Sequence, residues 1–205
     1  MPNVNSDTSD TPDSTKTLEA SDEAFGPGNI TVITGCAGTG KTTVALNFAQ
    51  EPGTVFLAGD EDEIVLRQKA ARLGLDVSNT TFIDNTSNNK SEVLILNTKR
   101  VVVEDFSRLV GPASLWSRKF MDLAVRRNAH ILVTVYTRRP ASEATNLADA
   151  VKREIPMALS YSATNVIHLD SPFDTRPTGV LVKTRTLLSH QVPDELFGVK
   201  LRTEF

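Results

Sequence analysis

A chain of 205 residues, 40% hydrophobic and 23% charged, fits one α/β domain with a sizeable core. No apolar stretch approaches the roughly 18 residues of a transmembrane helix, and the polar, acidic first 24 residues lack the apolar region of a signal peptide. The single cysteine, Cys36, excludes an internal disulfide and suits a reducing cytoplasm, while a formal net charge of −3 argues against a bulk nucleic-acid coat and leaves room for a local basic channel.

Charge is unevenly divided. Asp7, Asp10, Asp13, Glu19, Asp22 and Glu23 face only Lys16 in the first segment, which is rich in Ser, Thr, Asp and Pro. Residues 1–25 are therefore expected to form a disordered acidic tail, and residues 26–205 the folded domain. Gly26-Pro27-Gly28 closes the tail, and Ile30 to Thr34 is the first strand. The glycine-rich stretch Gly35 to Thr42 follows, and Thr43 to Ala49 reads as a helix. Thr54 to Ala58 is a second strand. Glu63 to Leu73 is a helix that sets Leu66, Ala70 and Leu73 on one face, with Gly74 as its stop. Thr80 to Ile83 is a short strand before a polar loop, Asp84 to Lys90. Val101-Val102-Val103 is β-branched throughout, as a central parallel strand buried on both faces would be. Ala113 to Asn128 is a long helix with Trp116, Phe120, Leu123 and Ala124 at core spacing. Ile131 to Val135 is another buried strand, and Ser142 to Arg153 reads as a helix. Val166 to Leu169, Gly179 to Val182 and Phe197 to Leu201 are late strands. No internal repeat is present. This alternation predicts an α/β fold with a mainly parallel central sheet flanked by helices and extended by the late strands.

The stretch Gly35-Cys36-Ala37-Gly38-Thr39-Gly40-Lys41-Thr42 fits G-x-x-x-x-G-K-[ST] between a strand and a helix. Glycines let the backbone curl so that N–H groups point at a phosphate, and the helix N-terminus adds partial positive charge. Lys41 suits the outer phosphates and the Thr42 hydroxyl suits a magnesium ion; Thr43 completes the loop. Cys36 reads as a small residue under the loop rather than a reactive thiol. A magnesium–nucleotide site also needs carboxylates. Asp105, at the end of the valine strand, is assigned the metal-holding Walker-B role. Glu104 stands where an apolar residue is usual, and either faces the opposite side of the sheet or competes for that role. Gly59-Asp60-Glu61-Asp62-Glu63 ends the second strand. Helix-dipole stabilisation accounts for Asp62 and Glu63, while Asp60 or Glu61 can orient the water that attacks a γ-phosphate.

Val55 to Glu61, with Arg67 and Ala71-Arg72-Leu73-Gly74-Leu75, resembles the stretch after the second core strand of RecA-like P-loop ATPases, closest to the RadA type and the motor core of DnaB-type helicases. Val102 to Leu109, Ala158 to Leu169 and Val182-Lys183-Thr184-Arg185 resemble, in order, their magnesium-binding strand, their late return to the sheet and their Lys-Asn-Arg motif. The resemblance spans residues 28 to 201. It implies an ATPase using ATP and Mg2+, assembled into a homo-oligomeric ring or filament, with Lys183 and Arg185 reaching a neighbour's γ-phosphate. Three departures stand out. Asp60 is one methylene shorter than the family glutamate. Thr134 or Thr137 stands in for the polar γ-phosphate sensor. A helicase N-terminal domain or zinc module has no room, as in a minimal phage version.

In RecA-like proteins the loop represented here by Arg138-Arg139-Pro140 through Lys152-Arg153 faces single-stranded DNA, so Arg138, Arg139, Lys152 and Arg153 are the expected phosphate contacts. Only Tyr136, at its edge, offers base stacking. The leading expectation is a DNA-dependent ATPase in recombination, repair or replication. A slow-hydrolysing regulatory switch with a protein partner and a small-molecule phosphotransferase are the alternatives.

Overall fold

Val101, Val102 and Val103 are all fully buried, and they are buried in different places. Successive side chains of a strand point to opposite faces. Val101 and Val103 enter one core cluster and Val102 enters another, so the sheet carries helices on both sides. The computed structural model describes residues 24–84, 95, 97–138, 147–170, 177–184 and 192–203. The tail residues 1–23, most of the predicted polar loop, Arg139 and Arg185 lie outside the described residues.

Among the described residues nine strands form one sheet: β1 (Ile30–Gly35), β2 (Thr54–Ala58), β3 (Thr81–Asp84), β4 (Arg100–Val103), β5 (His130–Tyr136), β6 (Asn165–Leu169), β7 (Thr178–Lys183), β8 (Glu195–Leu196) and β9 (Val199–Thr203). Their spatial order is β3-β2-β4-β5-β1-β6-β7-β9-β8. Every pairing from β3 to β6 is parallel. The late strands make the sheet mixed: β7 is antiparallel to β6, β9 is parallel to β7, and β8 is antiparallel to β9. The β1 loop therefore opens at the same sheet edge as the ends of β2, β4 and β5, where chemistry collects in parallel α/β sheets.

Helices α1 (Lys41–Phe48) and α2 (Glu63–Arg72) bury Val44, Leu46, Phe48, Leu66 and Ala70 against the Ile33, Phe56, Val102 and Leu132 face. Asp62 caps α2, accepting from Val65 N at 2.9 Å. Helices α3 (Ala113–Arg127), α4 (Leu147–Glu154) and α5 (Met157–Ser162) contribute Phe120, Leu123, Val151 and Leu159 to the other face. Trp116 is only partly buried at the edge of that cluster.

Several boundaries differ from expectation. Ala24 and Phe25 belong to the folded domain, not the tail: both are buried, and Ala24 O accepts from Asn165 Nδ2 at 2.7 Å. Phe25 follows a segment without aromatics, and its apolar ring goes to the core. Helix α1 begins at Lys41, two residues earlier than predicted. The predicted helix Ser142 to Arg153 is described only from Leu147, and α5 was not anticipated. The predicted strand Phe197 to Leu201 is instead a turn followed by β9. Phe197 and Gly198 both have positive φ (51° and 75°), the geometry of a two-residue hairpin turn between β8 and β9. Leu73, expected on the buried face of its helix, is 48% exposed at the α2 C-cap.

At the opposite edge His130 opens β5, buried against the rings of Phe48 and Phe197, with neither ring nitrogen hydrogen-bonded. Burial first, and the nearby Arg100 guanidinium second, push its pKa from 6.5 down to about 3. The folded state thus refuses a proton that the unfolded chain accepts, so stability is full above pH 6.5 and falls as pH drops toward 3. Chemical denaturation near pH 7 and near pH 4.5 should show His130→Phe losing about 2 kcal/mol less than the wild-type chain. Equal losses would show that His130 does not carry the acid sensitivity.

Candidate functional site

The loop after β1 is held curled by its own side chains. Thr39 Oγ1 donates to Cys36 O at 2.9 Å, and Lys41 Nζ donates to Gly35 O at 2.8 Å and Cys36 O at 2.6 Å. Gly40 is the N-cap of α1 with φ 91°, a conformation that suits glycine, and no side chain caps the helix. The first N–H groups of α1 are thus left to the loop, as an anion site requires. Burial lowers the Lys41 pKa, and Cys36, Asp105 and Glu104 oppose that shift. Its ammonium also lies 5.4 Å from the centre of the Tyr136 ring.

The carboxylate against the loop is Glu104. Thr42 Oγ1 donates to Glu104 Oε1 at 2.7 Å, and Gly59 N donates to Glu104 Oε2 at 3.3 Å. Burial raises the Glu104 pKa, while those two hydrogen bonds pull the other way. Asp105 and Glu104 were both candidates for the metal side; Thr42 bonds to Glu104, while Asp105 engages its own turn. Asp105 has φ 56° and caps the 3-10 turn Phe106–Arg108, its Oδ1 accepting from Ser107 N at 3.1 Å and Ser107 Oγ at 2.6 Å. Its own N–H donates to Thr134 Oγ1 at 2.8 Å. Glu104 has the parity of Val102, which faces α1, and Asp105 has the parity of Val103, which does not. Gly59 lets the two strand ends meet, since a Cβ there would stand 2.6 Å from Glu104 O and 3.1 Å from Asp105 Cβ.

Lys41, Thr42, Asp60, Glu61, Glu104, Asp105 and Thr134 share one cleft of about 460 Å³ with Ala37, Gly38, Ser107, Arg108 and Tyr136. Asp60 pairs with Arg108, and Glu61 pairs with Lys69. The second oxygen of Glu61 is buried without a hydrogen-bond partner. Thr137 is buried, with its hydroxyl likewise unpartnered, and does not line the cleft. A neighbouring cleft of about 480 Å³ lies between α1 and α2, walled by Thr43, Leu46, Lys69, Arg72 and Leu73. A third, of about 680 Å³, is lined by Arg138 and Arg153 together with Phe106, Tyr136 and Glu154, but not by Lys152. Arg138 N donates to Glu154 Oε2 at 2.6 Å, which anchors the strand end beside it. Tyr136 and Ser107 wall both the first and the third cleft. Lys183 is not at the loop: its Nζ donates to Ser160 O at 2.6 Å and Ala163 O at 2.8 Å, closing the C-terminal end of α5.

Among the described residues no group of three or more His, Cys, Asp or Glu could hold a metal ion by itself. The Thr42–Glu104 pair nonetheless supplies hard oxygen donors beside the glycine-rich loop. That fits magnesium, which takes one or two protein oxygens and completes its shell with phosphate and water. No protein-family model matches the chain, and no curated protein sequence matches it.

If Glu104 is the metal-side acid, Glu104→Gln should raise the Mg2+ concentration needed for nucleotide binding by about tenfold, while Asp105→Asn should shift it less. Titration of each variant with Mg2+ at fixed nucleotide checks this order. The reverse order would return the role to Asp105.

Proposed function

We propose that this chain is a magnesium-dependent ATPase of RecA-like type that works on single-stranded DNA in recombination, repair or replication. The observation that carries the reading is the Thr42–Glu104 hydrogen bond, which sets a phosphate loop opposite a strand-end carboxylate inside a cleft that also holds Asp60 and Glu61. Lys41 and the N-terminal amides of α1 would hold the phosphates, and Thr42 with Glu104 would hold the magnesium ion, which neutralises phosphate charge when bound. Asp60 or Glu61 would orient the attacking water. The strand order supports the RecA-like assignment: β5 is inserted between the loop strand β1 and the acid strand β4, so Thr134 reaches the cleft between them.

The DNA reading rests on the cleft of Arg138 and Arg153. Tyr136 at its wall offers a stacking face, and the same ring lies beside Lys41, so strand binding and nucleotide chemistry would share a side chain. Assembly into a ring or filament is part of the proposal. Val125, Met157 and Tyr161 are each more than 70% exposed on the packed pair α3 and α5, which is apolar surface that a second copy would cover.

One observation favours a second reading. Both candidate water-orienting carboxylates are engaged in ion pairs, Asp60 with Arg108 and Glu61 with Lys69. A chain whose base stays paired would bind ATP and turn it over slowly, as a regulatory switch does.

ATP hydrolysis measured with and without single-stranded DNA separates the two. The DNA motor predicts stimulation that falls as salt rises, lost in Lys41→Ala and weakened in Arg153→Ala. Slow turnover indifferent to DNA would favour the switch, and hydrolysis unchanged in Lys41→Ala would remove the loop from the chemistry.

A further inference from the structure

We propose that Arg108 is a cation for the terminal phosphate of a nucleoside triphosphate, supplied by the same chain that holds the phosphate loop. This rests on the nucleotide-site reading above and adds to it the residue that distinguishes a triphosphate from a diphosphate.

Arg108 ends the 3-10 turn that Asp105 builds. The left-handed backbone at Asp105 reverses the chain after β4, its carboxylate caps Ser107 N, and Arg108 N donates to Asp105 O at 3.0 Å. The turn brings the guanidinium to Asp60, just after β2, while Nε lies 3.5 Å from Asp105 Oδ2. Arg108 thus stands on the wall made by the ends of β2 and β4, apart from the loop.

Charge in the cleft gives that position a consequence. Among the described residues its lining carries four carboxylates, Asp60, Glu61, Glu104 and Asp105, and two cations, Lys41 and Arg108. Lys41 belongs to the loop and its carbonyls. Among the described residues that line this cleft, Arg108 is therefore the cation that the loop does not hold. The Arg108 and Asp60 side chains are 55% and 60% exposed, so water screens their pairing and a stronger anion can displace it. A terminal phosphate is such an anion, with more charge than a carboxylate and oxygens that accept two parallel guanidinium N–H bonds. Exchange of Asp60 for phosphate would also release the Asp60 carboxylate into the cleft. On this proposal a diphosphate held by the loop and Lys41 would not engage Arg108 and would leave the pair closed.

The test is binding of ADP and of a non-hydrolysable ATP analogue, both with Mg2+, to the wild-type chain, Arg108→Ala, Arg108→Lys and Asp60→Asn. Arg108→Ala should lose about tenfold or more in affinity for the triphosphate and stay within about twofold for ADP; Arg108→Lys should recover part of the loss. Asp60→Asn should bind the triphosphate more tightly, because the competing carboxylate is gone, with no gain for ADP. Equal loss for both nucleotides in Arg108→Ala, no loss for either, or weaker triphosphate binding in Asp60→Asn would overturn the proposal while leaving the nucleotide site intact. Binding of neither nucleotide by the wild-type chain would overturn the nucleotide reading, and this proposal with it.

Discussion

The hydrogen bond from Thr42 to Glu104 joins the first turn of α1 to the end of β4, and β5 lies between the strands that these two residues extend. Such a contact is possible only if β1, β4 and β5 are parallel and in register. Ile30 to Gly35 pairs with Ile131 to Tyr136, and Arg100 to Val103 pairs with His130 to Val133. The long buried runs of Val, Ile and Leu in these strands enforce that register, since a slip by one residue would exchange the two faces of the core. The site is thus a product of sheet packing. The loop curls because its glycines permit it, but it meets an acid because three buried strands end together.

Two polar groups at this edge work against burial. Glu104 has its pKa raised by desolvation, and Lys41 has its pKa lowered by the same cause. Each is held by hydrogen bonds that satisfy it, Glu104 by Thr42 and Gly59, Lys41 by the loop carbonyls. Charges drawn out of water in this way are costly to keep for stability alone. A divalent cation and a phosphate would relieve both, which is why the arrangement reads as a binding site and not as core packing.

Most of the sheet was legible in the residues. Apolar runs marked β1, β2, β4, β5 and β6, and Gly74 marked the end of α2, where its φ is 70°. What escaped had local physical causes. Phe197-Gly198 sits inside an apolar run, so the positive φ of a non-glycine residue concealed the β8–β9 turn. Phe25 lay beside an acidic segment whose composition overshadowed one aromatic ring. At the site, the loop residues and the Asp60–Glu61 pair were evident from motif and order. The sequence offers both Glu104 and Asp105 for the metal side, and the Thr42 contact that separates them is a tertiary one. Arg108 had no sequence signal, because its approach to Asp60 depends on the left-handed turn at Asp105.

The central claim is that this edge of the sheet binds a magnesium–nucleotide. Calorimetric titration of the wild-type chain with ATP, with Mg2+ and with the metal chelated, tests it most directly. The account predicts saturable binding at one site per chain that weakens sharply when Mg2+ is removed. Absence of binding at millimolar ATP, or binding indifferent to Mg2+, would contradict it.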